Sequence, residues 1–332
     1  MGAFSKYITE LLGFDKFLPS SSGVEACESA IKVARRWGYV SKGVEQDKAS
    51  VILPNGCFWG RSITASGACD DPARYTNFGP FTPGFHLVDY NNLEQVEAVM
   101  KKDPNLVAMM LEPIQGEAGV VIPDEGYLRG IRQLCNKYNV LLICDEVQTG
   151  LGRTGKLMGY QWELDENNQP DIVTLGKAIS GGVTPVSGIV ANDNIMSTIK
   201  PGDHGSTYGG NPLGMAVAQA AVECLVEEKM PENALKMGGI LTDRFKAIKS
   251  PMINDVRSIG LFAAIEIHAD LNVSGAEFGK ILMNNGLLTK ATHENAMRFA
   301  PALTITEEQI HAGADIVETS LKDLEALHNS RK

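Results

Sequence analysis

The stretch Val140-Leu-Leu-Ile-Cys-Asp145-Glu-Val-Gln148 decides the fold reading. An unbroken apolar run ending in an acid is the pattern of a strand covered on both faces, whereas a half-exposed strand would alternate. Open α/β sheets gather ligands at the carboxyl ends of their strands. Asp145 therefore marks the functional edge. Outward from it, between Val24 and Leu213, helical periodicity (24–40, 92–102, 126–138) alternates with strand-like runs (50–53, 86–90, 106–112, 140–145, 171–175, 185–191). That alternation predicts an α/β fold, a mostly parallel sheet sandwiched by helices.

Beyond Asn211 the pattern changes to two helices (212–229 and 232–249), a strand over 257–267, a helix over 275–285, short strands near 287–290 and 297–300, and a last helix. Thr306 and Gln309 have the spacing of a capping box at its start. The reading is a large domain over 1–230 and a smaller C-terminal α+β domain over 231–332.

Composition narrows the function. The 332 residues carry 30 Lys and Arg against 40 Asp and Glu, a formal net charge of −10, which disfavours duplex nucleic acid as a partner. The longest apolar-rich stretch, Gly214 to Val226, is interrupted by Gln219 and Glu223, so no membrane span is expected. Six cysteines at 27, 57, 69, 135, 144 and 224 form no C-x-x-C pair and imply reduced thiols. Met1-Gly2 does not make a myristoylation signal, because Lys6 stands where Ser or Thr is needed. The histidines at 86, 204, 268, 293, 311 and 328 show no metal-ligand spacing, and no metal site is expected.

The glycine-rich loop Gly150-Leu-Gly152-Arg-Thr-Gly155-Lys156 matches two phosphate-binding patterns, and context rejects both. Leu157 stands where a magnesium-binding hydroxyl should be, five residues separate the strand end from the first glycine, and Gly159 breaks the helix that should follow.

A stronger constellation joins Asp145 to Thr174-Leu-Gly-Lys177, a carboxylate at one strand end and a lysine just beyond the next strand. Pyridoxal phosphate requires such a pair: a lysine for the Schiff base and an acid facing the pyridine nitrogen. A phosphate could sit at Ser21-Ser22-Gly23-Val24, the start of an amphipathic helix, although Ser22 alone reads as an ordinary N-cap. Ser206 and Thr207, among glycines before another helix, are a second phosphate candidate. Phe58 and Trp59 offer rings to stack on a cofactor, with core packing the rival role for at least one of them.

The segments SSGVEA (21–26), CFWGRS (57–62), EPIQGEAGV (112–120), DEVQTGLGRTG (145–155), LGKAISGG (175–182), GSTYGGNPLG (205–214) and RFAPAL (298–303), in this order, resemble those of the ornithine aminotransferases, a branch of the class III aminotransferases and thus fold type I pyridoxal-phosphate enzymes. The similarity runs from about Tyr7 to the last helix. It implies transfer of the δ-amino group of L-ornithine to 2-oxoglutarate, with pyridoxal 5′-phosphate as cofactor and a homodimer as the working form.

The same resemblance implies roles: Lys177 for the Schiff base, Asp145 at the ring nitrogen, Gln148 at the ring hydroxyl, Phe58 on the ring face, and Ser22, Gly23 and Val24 around the phosphate. Ser206 and Thr207 would come from the other subunit. Arg61 and Arg298 would receive substrate carboxylates, with Glu112 nearby and Glu117 pairing with Arg298. Family members usually carry roughly a hundred more residues ahead of the Tyr7 match, which normally feed the small domain, the dimer interface and the substrate site. The rival expectations are an acetylornithine or 4-aminobutyrate aminotransferase and a catalytically weak binding protein of the same fold. The cytoplasm is the expected compartment, with the mitochondrial matrix as the alternative.

Overall fold

The apolar run that opens the reading becomes β5 (Leu141–Asp145), buried at every position. In this computed structural model, which describes residues 1–292 and 295–332, β5 is the middle strand of a seven-stranded sheet. The others are β1 (Lys16–Ser20), β2 (Ser50–Pro54), β3 (Phe85–Val88), β4 (Leu106–Leu111), β6 (Ile172–Leu175) and β7 (Ser187–Ala191). Their order is β1-β7-β6-β5-β4-β2-β3.

Five strands, β3, β2, β4, β5 and β6, pair parallel, while β7 runs antiparallel to both β6 and β1. The sheet is thus mixed at one side. The reason is the link from β6 to β7, residues 176–186, which is shorter than the dozen or more residues a parallel crossover needs. β1 had no counterpart in the sequence reading. Its five residues include Pro19, and a proline argues against strand in a sequence pattern although an edge strand such as β1 tolerates it.

Helices α1 (Gly2–Leu12), α2 (Gly23–Trp37), the short α3 (Ile63–Gly67) and α4 (Pro72–Tyr75), α5 (Leu93–Lys102), α6 (Tyr127–Tyr138), the short α7 (Asp193–Met196) and α8 (Pro212–Glu227) accompany these strands. Burial follows the amphipathic pattern. Along α2, Ala26, Cys27, Ala30, Ile31, Val33, Ala34 and Trp37 share a core with Val51, Leu53, Ala108, Met110 and Ile143 of the sheet. Small residues on that face let the helix backbone lie close to the strands.

The chain divides into two compact units that are discontinuous in sequence. The first holds 1–113, 123–151 and 160–224; the second holds 114–122, 152–159 and 225–332. The second unit contains a four-stranded antiparallel sheet, β10 (Lys290–Thr292), β11 (Ala296–Phe299), β9 (Phe262–Ile267) and β8 (Ile253–Ile259), in that order. Helices α9 (Met230–Ala247), α10 (Gly275–Asn284) and α11 (Glu307–Ser330) share its core through Met237, Leu241, Phe245, Phe278, Leu282, Val317 and Leu321. Thr306 and Gln309 form the expected capping box of α11.

One expectation fails here. The single strand over 257–267 is a hairpin, because Gly260 takes φ +55° and the chain reverses between Ile259 and Phe262. That backbone region is open to glycine at little cost. An apolar glycine inside an apolar run left no polar turn signal to read.

Candidate active site

Asp145 ends β5 with its carboxylate 4% exposed, and a buried charge needs donors. It has them. Thr174 Oγ1, from the adjacent β6, donates to Oδ1 at 2.8 Å, and the Val147 amide donates to the same oxygen at 3.0 Å. The Cys27 thiol on α2 donates to Oδ2 at 3.3 Å. Burial, then the adjacent Asp145 charge, push that thiol well above its ordinary range, so it stays protonated and remains a donor.

A cavity of about 350 Å³ opens beside this carboxylate. Its wall includes Gly23, Val24, Phe58, Arg61, Glu112, Gln148 and Lys177 along with Asp145 and Cys27. Lys177 follows β6 in a single 3₁₀ turn, Lys177–Ser180, with φ +41°. A left-handed lysine stores strain of order 1 kcal/mol or more. Its side chain makes no ion pair among the described residues.

The front of the cavity is set by α2. Ser22 is its N-cap in a complete capping box: Glu25 Oε2 accepts from the Ser22 amide at 2.7 Å and from the Ser21 amide at 3.1 Å. Ser187 Oγ donates to the Ser22 carbonyl at 2.7 Å and meets Ser20 Oγ at 2.7 Å, which ties the helix start to β7 and β1. The Gly23 and Val24 amides, the first two of the helix, are left without a protein acceptor among the described residues. Gly23 is required by contact: a Cβ there would lie 2.9 Å from Val147 Cγ1.

Both aromatic candidates line the cavity. Trp59 is 5% exposed, its ring lies 6.4 Å from that of Phe85, and it packs in the core as well. The Phe58 ring carries Arg74 at 4.9 Å and Arg61 at 5.8 Å, and its amide donates to Glu112 Oε1 at 2.9 Å. Ser22, Ser206 and Thr207 are not in the cavity wall. Ser206 Oγ instead accepts from the Gly209 amide at 3.1 Å, and Thr207 is exposed.

In the second unit, Glu117 and Arg298 meet: Arg298 Nη1 donates to Glu117 Oε1 at 2.7 Å. Lys290 Nζ reaches the other oxygen, Oε2, at 2.9 Å. Partial burial alone would raise the Glu117 carboxyl, but hydrogen bonds from Arg298 and Lys290 outweigh it and hold the group at about 2. Arg153, of the rejected glycine-rich loop, is half-buried with Nη1 on the Leu261 and Pro301 carbonyls, at 2.9 and 2.6 Å. Burial, then the charge of Arg298, lower its guanidinium to about 10, still cationic at neutral pH.

Cys27, Thr174, Val147 and Lys290 had not been singled out from sequence. Thr174 and Val147 had a usable signal, since they sit opposite and two residues beyond Asp145; Cys27 and Lys290 act through tertiary contacts alone. Among the described residues no three potential metal ligands converge, and His293 lies outside those residues.

Residues 1–321 match the family described as aminotransferase class-III. The chain belongs to the class-III aminotransferases. One relative in the family is the probable mitochondrial ornithine aminotransferase of Caenorhabditis elegans, 51% identical over 323 residues, covering 97% of this chain and 75% of that protein. The solved ornithine aminotransferase of Toxoplasma gondii ME49 superposes with a TM-score of 0.94 at 41% identity, covering 98% of this chain and 77% of that one. An acetylornithine aminotransferase from Elizabethkingia anophelis has a TM-score of 0.85 at 44% identity, covering 97% and 78%.

The cofactor of class-III aminotransferases is pyridoxal 5′-phosphate, and another structure of the Toxoplasma enzyme is described as partly occupied by it at the active site. The residues present fit that group. The cavity holds a lysine, a buried carboxylate and an aromatic face, and two open helix-terminal amides suit its phosphate.

Proposed function

We propose that this class-III aminotransferase transfers the δ-amino group of L-ornithine to 2-oxoglutarate, yielding glutamate 5-semialdehyde and glutamate. The observation that carries the reading is the convergence of Lys177, Asp145, Gln148, Phe58, Arg61 and Glu112 on one cavity. When bound, pyridoxal phosphate supplies an electron sink for the carbanion formed at the amine-bearing carbon.

The protein's own residues do the rest. Lys177 Nζ anchors the cofactor and then carries the proton at the substrate carbon. Asp145 Oδ1 is held by Thr174 and Val147, which fixes the carboxylate that would face the ring nitrogen of the bound cofactor and favour its protonated form. Gln148 would address the ring hydroxyl, Phe58 would offer the ring its aromatic face, and Gly23 and Val24 would hold the phosphate at a helix start that Ser22 caps. Arg61 receives one substrate carboxylate, and Glu112 fixes the Phe58–Arg61 segment through the Phe58 amide. Arg298 receives another carboxylate when Glu117 releases it, so one enzyme can accept both a diamino acid and a dicarboxylate.

The working form is a homodimer in which loop 205–212 completes the partner's phosphate site. Exposure supports this, since Tyr208 and Leu213 stand 73% and 69% exposed beside Ser206 and Thr207. As a division by chain order the proposed domains are 1–230 and 231–332, although 114–122, 152–159 and 225–230 pack with the second compact unit. Six cysteines, none of them in a disulfide, support a reducing compartment, cytoplasm or mitochondrial matrix. The likeness to an acetylornithine aminotransferase favours N-acetylornithine as the second reading.

The test is an absorbance titration of the cofactor-loaded protein with ornithine and with N-acetylornithine. Bleaching of the long-wavelength band by ornithine at lower concentration supports the proposal; preference for the acetylated amine overturns it. Borohydride reduction should place the cofactor on Lys177, and Lys177→Ala should prevent attachment.

A further inference from the structure

Lys290 and Arg298 are cross-strand partners in the β10–β11 hairpin, and they grip opposite oxygens of one carboxylate, that of Glu117. The environments differ. Arg298 is 11% exposed and Glu117 17%, whereas Lys290 is 62% exposed and reaches in from solvent. Half-buried Arg153 adds a further positive charge near Arg298. An exposed lysine on a carboxylate ordinarily contributes little to stability.

Its position gives it another use. If a substrate carboxylate takes Arg298, the half-buried Glu117 carboxylate loses its best donor, and without Lys290 it would be left unpaired at considerable cost. Lys290 is already bonded to Oε2 and can hold Glu117 through that exchange. We propose that Lys290 is a specificity-determining residue: it receives Glu117 when Arg298 turns to a dicarboxylate, and so sets how readily the enzyme opens for glutamate and 2-oxoglutarate relative to ornithine. The proposal rests on the reading of Arg298 as a carboxylate receptor masked by Glu117.

The experiment uses cofactor-loaded enzyme and three variants, Lys290→Met, Lys290→Arg and Glu117→Gln, plus the Lys290→Met/Glu117→Gln double variant. Glutarate binding is measured by calorimetry, and the two half-reactions are followed separately by stopped-flow absorbance. Lys290→Met should weaken glutarate about three- to fivefold and shift the ratio of the half-reactions toward ornithine by a similar factor, acting through KM for glutamate. Lys290→Arg should restore both. In the Glu117→Gln background the same lysine change should have no further effect on glutarate, because there is no longer a carboxylate to receive.

Equal loss in both half-reactions, an unchanged ratio, or an undiminished Lys290→Met effect in the Gln background would each overturn the proposal, the last by reducing Lys290 to a general positive field. Glu117→Gln by itself tests the foundation. If it leaves glutarate affinity unaltered, Arg298 is not a masked receptor, and the underlying reading falls before the role of Lys290 is reached.

Discussion

Arg298 Nη1 and Glu117 Oε1 lie 2.7 Å apart although the residues are separated by 181 positions. One comes from β11 and the other from the segment 114–122, and the second unit brings them together. Glu117→Ala should leave Arg298 open, so that ornithine can be held by its α-carboxylate with the wrong amine presented. δ-Transfer should then fall relative to α-transfer from glutamate. Arg298→Ala should chiefly damage the glutamate half-reaction, by about 1.5–3 kcal/mol for a lost charge-assisted bond. Single-turnover rates of the two halves check this; equal losses in both halves for both variants would leave an ordinary structural ion pair.

At Asp145 the prediction separates charge from orientation. Asp145→Asn should keep the cofactor but lower turnover by orders of magnitude, because an amide cannot balance a protonated ring nitrogen. Thr174→Val removes the 2.8 Å hydroxyl donor to Oδ1 together with a long contact from the Cys27 thiol, and leaves the charge in place. It should weaken cofactor binding by about tenfold or less, in keeping with one bond to a charged group. Equilibrium dialysis against pyridoxal phosphate and steady-state rates distinguish the two.

The Glu117 carboxyl, held at about 2 against an ordinary 4.5, makes part of the folding stability depend on pH. A depressed folded-state value means that the contribution is complete above about 4.5 and is lost as pH falls toward about 2. The difference in urea midpoint between wild type and Glu117→Gln should therefore be flat from pH 7 to 5 and shrink below that. A difference that grows on acidification would contradict the ion-pair assignment.

Two adjacent glycines of α9 should respond with opposite signs. A Cβ at Gly238 would sit 2.2 Å from the Gly260 carbonyl oxygen, in the backbone of the β8–β9 turn, while one at Gly239 meets nothing within 4 Å. Gly238→Ala should destabilise by about 1–3 kcal/mol through overpacking. Gly239→Ala should stabilise by about 0.5–1 kcal/mol from helix propensity. Thermal melts of the two variants measure both.

How much of this was legible in the sequence depended on the range of the interaction. Strands β4, β5 and β6 announced themselves because burial on both faces leaves unbroken apolar runs, and α2, α5 and α6 because their buried faces repeat at helical spacing. The turn at Gly260 was silent, since a glycine bounded by Ile259 and Leu261 does not look like a turn until its φ is known. At the cavity, Asp145 and Lys177 were readable as strand-end chemistry. The Cys27 thiol, 118 positions from the carboxylate it serves, carried no local mark. Lys290 resembled any solvated lysine, and only the β10–β11 register shows it beside Arg298.

That register also constrains how the carboxylate can change hands. Both cations ride on one short hairpin, so a tilt of the hairpin carries them together and cannot pass Glu117 from one to the other. Side-chain torsions, or a shift of the segment 114–122 that carries Glu117, have to do so. Rotamer hops of exposed side chains take roughly picoseconds to nanoseconds, against microseconds to milliseconds for domain motions, so Lys290, 62% exposed, can follow Glu117 many times within any catalytic cycle. The contribution of Lys290 to substrate choice is then thermodynamic rather than gated, and changing it should leave the viscosity dependence of the half-reaction rates as it is in the wild type.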